Sequence, residues 1–137
     1  MTTSPGVVTY RSSFGVAATL DRLADLAQAK GLTVFARIDF ARDAHASGMT
    51  LRNEQLLVFG HPKAGTPLLQ AAPGVGLDLP LKALAYEDAD GVTWVAINAP
   101  SYIVARHGVP AELEANIAGA VALVEAAAGI ERARTAS

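Results

Sequence analysis

The residues best suited to bind or react lie in FGHPKAGTPLLQ, residues 59–70. There a histidine, a lysine, two glycines and two prolines follow an apolar run. Gly60 and Gly65 have the spacing of a phosphate-binding P-loop, but such a loop continues with lysine and then serine or threonine. Thr66 and Pro67 stand in those places, so nucleotide triphosphate binding is rejected. A simpler anion site is one reading. Gly65 lets the backbone approach a ligand, and Thr66 stands where a helix would begin, with Pro67 in its first turn. Free amides and the helix dipole at such a place attract carboxylate or phosphate. Lys63 and His61 would add charge-assisted donors, with Gln70 close by to orient the ligand. The amides of residues 65 and 66 and the Lys63 ammonium would then converge on one hollow. The other reading is that Pro62, Gly65 and Pro67 shape a turn, and Lys63 is solvated or paired.

Elsewhere the chemistry is thinner. Asp39, with Arg37 on the same strand face, is a candidate general base near Lys63 if the two strands are neighbours; cross-strand ion pairing is the alternative. His45, His61 and His107 lack the spacing of a zinc site, so no metal and no cofactor is assigned. The serines lie outside any G-x-S-x-G elbow. With no cysteine, disulfides, thiolate metal sites and a cysteine nucleophile are excluded. Phe35 and Trp94, with Tyr86 and Tyr102, can wall a pocket or simply pack.

These residues must be held by a scaffold of 137 residues, 51% of them apolar, enough for one domain with a real core at about residues 6–129 and loose ends. The net charge of -2 has no basic run, so nucleic acid is not expected. No signal peptide or membrane span is visible, and the expected location is cytoplasmic. A strand at Val7 to Arg11 precedes a helix with Ser13 as cap, a stripe at Val16, Leu20, Leu23 and Ala27, and Gly31 at its end. LTVFARIDF alternates, placing Leu32, Val34, Ala36, Ile38 and Phe40 on the core side. ARDAHASG reads as a short helix, EQLLVFG and LKALAYE as strands, TPLLQAAP as a short helix, and Asp90-Gly91 as a hairpin turn before VTWVAIN. After SYIVARHG, Pro110 opens a last helix with Leu113, Ile117, Val121 and Val124 buried. The order β-α-β-β-β-β-α, with short extra helices, predicts an α+β fold: a largely antiparallel sheet with two long helices on one face.

VFARIDFARDA, QLLVFGHPKAGTPLLQAAPGVGLDLPLKALAYEDADG and VTWVAINAPSYIVARHG together resemble the bacterial and archaeal Domain of Unknown Function 302 family, from about Gly6 to Gly129. The resemblance implies a small α+β fold related in topology to the TATA-binding-protein fold, and a homodimer. It implies no established activity. Many members carry histidine where this chain has Phe40, and asparagine where it has His61. Three functions stay open. The first is a non-enzymatic domain holding a partly apolar anion on His61, Lys63, Gly65, Thr66 and Gln70, with Phe35 and Trp94 on its apolar part. The second is an enzyme using Asp39 or His61 as acid/base, and the third a structural or interaction domain.

Overall fold

The computed structural model describes residues 4–130. Five strands, β1 (Val7–Arg11), β2 (Thr33–Asp39), β3 (Glu54–Gly60), β4 (Leu81–Glu87) and β5 (Thr93–Asn98), form one sheet in the order β1-β5-β4-β3-β2. Every neighbouring pair is antiparallel. Helix α1 (Val16–Ala29) packs on the sheet beside α6 (Ala120–Ala128). The architecture is the α+β layer that the element order predicts. The expectation of loose ends falls, apart from Ser4 to Gly6, on residues outside those described.

The core lies between the helices and one sheet face. Val16, Leu20, Leu23 and Ala27 of α1 are buried, as the 3.6-residue stripe requires. They meet Leu57 and Phe59 of β3, Ala83 and Ala85 of β4, and Val95 and Ile97 of β5, which alternate along their strands. Arg22 ties the two helices together by donating to the carbonyls of Ala126 and Ala127. The β4–β5 turn forms at Asp90-Gly91, with Gly91 at φ 78. There the Asp88 carboxylate accepts from the amides of Asp90 and Val92 and from the Trp94 indole.

Four local expectations are corrected. Ser13 does not cap α1; Gly15 is the N-cap, and the Ser12 hydroxyl instead bonds Thr19 and the Phe14 amide. Strand β2 does not alternate throughout, because its pairing with β3 shifts register between Val34 and Ala36. Leu32 and Val34 pack on the core, but beyond the bulge Arg37 and Asp39 take the helix-facing side opposite Leu57 and Gln55, and Ile38 turns outward. The last helix is broken into a 3-10 turn (Ala111–Glu114), α5 (Ala115–Ala118) and α6, with Gly119 at the joint. The helix after β3 begins at Pro62, four residues earlier than Thr66, and runs to Ala71 as α3 (Pro62–Ala71). Helix α2 (Phe40–Ala46) forms where ARDAHASG predicts one but takes in Phe40, expected on the strand's core face, and α4 (Pro100–His107) forms over SYIVARHG, a segment the sequence reads as irregular or helical.

Candidate functional site

The early start of α3 decides what the 59–70 segment can do. Pro62 occupies the first helical turn, where its missing N–H and fixed φ cost nothing. His61 is the N-cap, its Nδ1 accepting the Lys63 amide at 3.2 Å. The Gly65 amide is then spent on the His61 carbonyl at 2.9 Å, and the Thr66 hydroxyl donates back to the Pro62 carbonyl at 2.7 Å. Residues 65 and 66 therefore sit inside a helix rather than at its open end. The convergence of their amides with Lys63 does not occur.

A cavity of about 870 Å³ opens instead on the other side of this segment. Its walls are the end of α1 (Leu26, Lys30), the start of β2 (Leu32, Phe35), the first turns of α3, the approach to β4 (Leu79 to Leu81) and the α5–α6 joint. Small residues make the room: Gly65 on one wall and Gly119 on another each have nothing within 4 Å of where a Cβ would lie. Asn116 braces α5 against α3 by donating to the Ala64 carbonyl at 3.0 Å. Aliphatic side chains dominate the lining, and its polar groups are Lys30, His61, Thr66 and Asn116. No carboxylate lines it. Because His61 Nδ1 accepts a backbone amide, the neutral ring carries its proton on Nε2 and keeps one donor.

Of the residues expected at a site, His61, Gly65, Thr66 and Phe35 line this cavity, Phe35 being the extra residue at the β2 bulge and 48% exposed. Lys63 and Gln70 are exposed positions of α3 outside the lining. Trp94 lies outside it as well, on the sheet face away from the helices, bonded to Asp88 at 2.8 Å. Asp39 is not brought to Lys63. Strands β2 and β3 are neighbours, but antiparallel pairing sets Thr33 beside Gly60 and leaves Asp39 at the opposite end, beside Gln55. That is about 20 Å along the strand. There the Asp39 carboxylate caps α2 through the Arg42 amide at 2.9 Å. Arg37 meanwhile pairs with Asp21 at 2.5 Å, bonds Gln55 and reaches the Ala17 carbonyl, fastening the sheet edge to α1.

Lys30, Asn116 and Gly119 were not singled out in the sequence, because only the fold brings the end of α1 and the α5–α6 joint to one hollow. A second charged cluster stands apart from the cavity lining. Asp78 Oδ2 accepts from Arg106 at 2.9 Å and faces His107 Nε2 at 2.5 Å, pinning the 73–79 turn to the end of α4. Burial by itself would raise the Asp78 pKa, but the His107 hydrogen bond and the charges of Arg106 and His107 outweigh it and hold the carboxyl below its ordinary value. Among the described residues, no group of three or more His, Cys, Asp or Glu could hold a metal, and no helix is long and apolar enough to cross a membrane.

Three comparisons bear on this arrangement. The family model described as "Domain of unknown function DUF302" matches residues 8–124. A crystal structure of an uncharacterized conserved DUF302 protein from Bacillus stearothermophilus superposes with a TM-score of 0.78 at 22% identity, over 91% of this chain and 99% of that one. Among curated proteins, the chain is 40% identical over 104 residues to the fluoride-specific ion channel FluC 1 of Brucella suis biovar 1 (strain 1330), covering 76% of this chain and 41% of that protein. It is equally similar to the protein named FluC 2 of Brucella melitensis biotype 1, of which it covers 38%. The chain thus spans about two fifths of the length of the curated relatives it matches.

Proposed function

The chain belongs to the DUF302 family, and from that premise we propose that it is a non-enzymatic domain that binds a partly apolar, anionic small molecule in the cavity beside α3. One observation carries this: a hollow of about 870 Å³ whose lining is mostly aliphatic, with one lysine, one histidine and no acid. Ligand pockets are typically ~300–1,000 Å³, apolar, with few polar groups to orient the occupant. His61 and Phe35 keep the roles expected of them, while Lys63 gives its place to Lys30. Of the enzyme alternative's two acid/base candidates, Asp39 is spent capping α2 at the far end of β2, and His61 alone stands at the cavity.

A thermal-shift panel of carboxylates and phosphates with apolar bodies tests the reading. Some members should raise the melting temperature of the wild type, and the rise should vanish when the cavity is filled by Gly65→Leu. A panel of broad shape and chain length that produces no shift would sink it.

A second reading, assembly as a homodimer, is favoured by the helix-free sheet face. Its middle row, Thr9, Ala96, Leu84, Leu56 and Ile38, is apolar but for Thr9 and half-buried or exposed, and Arg11, Lys82 and Glu54 lie around it. Five strands by three rows give a footprint of roughly 450–500 Å² in projection. Side-chain relief brings that toward the ~800 Å² per partner of a stable interface. We propose a second copy of the chain as its occupant. Light scattering should give the mass of a dimer for the wild type and of a monomer for Leu84→Glu; a monomeric wild type removes the proposal.

A further inference from the structure

We infer that the occupant of the cavity is a single aliphatic chain ending in a carboxylate, with the chain laid along the α5–α6 joint and the carboxylate at the Lys30 ammonium. This rests on the ligand-binding reading above and narrows it to one chemical class. One wall of the cavity is lined from Asn116 to Ala126, ten residues along the last helical segments. At 1.5 Å per residue that is about 15 Å. An extended saturated chain of roughly twelve or thirteen carbons has that length, bonds near 1.5 Å advancing about 1.25 Å each along the zigzag. Leu26, Leu69 and Leu123 would flank the chain, and the glycines at 65 and 119 leave open space where a side chain would otherwise stand.

The charge is equally specific. Lys30 is the one full cation of the lining, and its ammonium has no ion-pair partner among the described residues. Pairing of Thr33 with Gly60 brings Lys30, three residues before the one, and His61, just after the other, to the same mouth. The His61 Nε2–H is a second donor for the same head group. One ammonium neutralises one negative charge, which a carboxylate carries. A phosphate monoester carries close to two at neutral pH and would bring an uncompensated charge to an aliphatic wall.

Calorimetric titration of the whole chain with dodecanoate, kept below its micelle concentration, tests this beside dodecanol and 2-naphthoate. Dodecanoate should bind the wild type more tightly than dodecanol does. Lys30→Met should weaken dodecanoate about tenfold or more and leave dodecanol unchanged, and Lys30→Arg should restore most of the loss. Gly119→Leu should abolish both, with circular dichroism confirming the fold. Equal affinity of wild type and Lys30→Met for dodecanoate, or equal affinity of wild type for dodecanoate and dodecanol, overturns the anchor. Retained dodecanoate binding in folded Gly119→Leu overturns the placement of the chain. Binding of 2-naphthoate without dodecanoate overturns the aliphatic class and leaves the ligand-binding reading standing. Binding of neither, with the thermal-shift panel also silent, removes both.

Discussion

Replacing Gly65 with leucine separates a cavity kept open for a ligand from one that is merely a packing defect. Position 65 lies inside α3, and a Cβ built there meets nothing within 4 Å, so the substitution brings no clash at that atom. Removing a glycine from a helix interior is worth about 0.5–1 kcal/mol. The added carbons enter an apolar hollow, and burying roughly half a leucine contributes about 1 kcal/mol more. The variant should therefore be more stable by about 1–2 kcal/mol, a rise of roughly 4–8 °C for a domain of this size. At the same time it should lose its ligand response. A wild type held at a hundred times the dissociation constant gains ~2.7 kcal/mol from ligand, and the variant should gain nothing. Melting curves followed by circular dichroism, with and without the best ligand of the panel, measure both quantities. A lowered melting temperature would mean the hollow is filled by neighbours rather than open. An unchanged ligand response in a stabilised variant would mean the ligand binds elsewhere.

Three further substitutions probe what lies around the cavity. The folded-state pKa of Asp78 is depressed from its ordinary value of 3.8. Its stabilisation is therefore complete above that value and is lost as pH falls through the folded pKa. Asp78→Asn should cost about 2 kcal/mol at pH 7 and flatten the acid limb of stability in urea melts; parallel pH profiles for the two proteins would contradict this. Asp39→Ala should lose the α2 cap, about 1 kcal/mol, without touching the ligand response, and a lost response would return Asp39 to the site. Lys63→Ala should leave the ligand response intact, because Lys63 is outside the lining; a weakened response would restore the loop-centred reading.

Local chemistry explains which parts of the fold were legible in the sequence. Asp90-Gly91 between two alternating runs specifies its own turn, and the stripe at Val16, Leu20, Leu23 and Ala27 specifies its own buried face. Failures came where two signals competed. Both Pro62 and Pro67 can open a helix, and the sequence favoured Pro67 because Thr66 precedes it. The structure uses Pro62, since His61 can cap it, and tolerates Pro67 inside α3. An internal proline removes one backbone bond, here to the Lys63 carbonyl, and Lys63 is exposed, so water is within reach of that oxygen. The bulge in β2 was hidden for a related reason: LTVFARIDF alternates either way, and only pairing with β3 reveals the extra residue.

The cavity was illegible for a different reason, since it is bounded by elements far apart in the chain and made by residues too small to announce themselves. Yet each of its three helical walls carries a leucine that the buried stripe of its helix does not need. Leu26 is half-buried beside Leu23 and Ala27, Leu69 is 38% exposed beside fully buried Leu68, and Leu123 is half-buried beside fully buried Val124. A leucine beside a stripe is ordinary when it stands alone. Three of them converge here on one hollow, with a lysine at its mouth and no acid in its lining. Leu26 and Leu123 also pack on the edge of the core, but core packing alone calls for neither the lysine at the mouth nor the acid-free lining. An aliphatic occupant with a single negative end would use both.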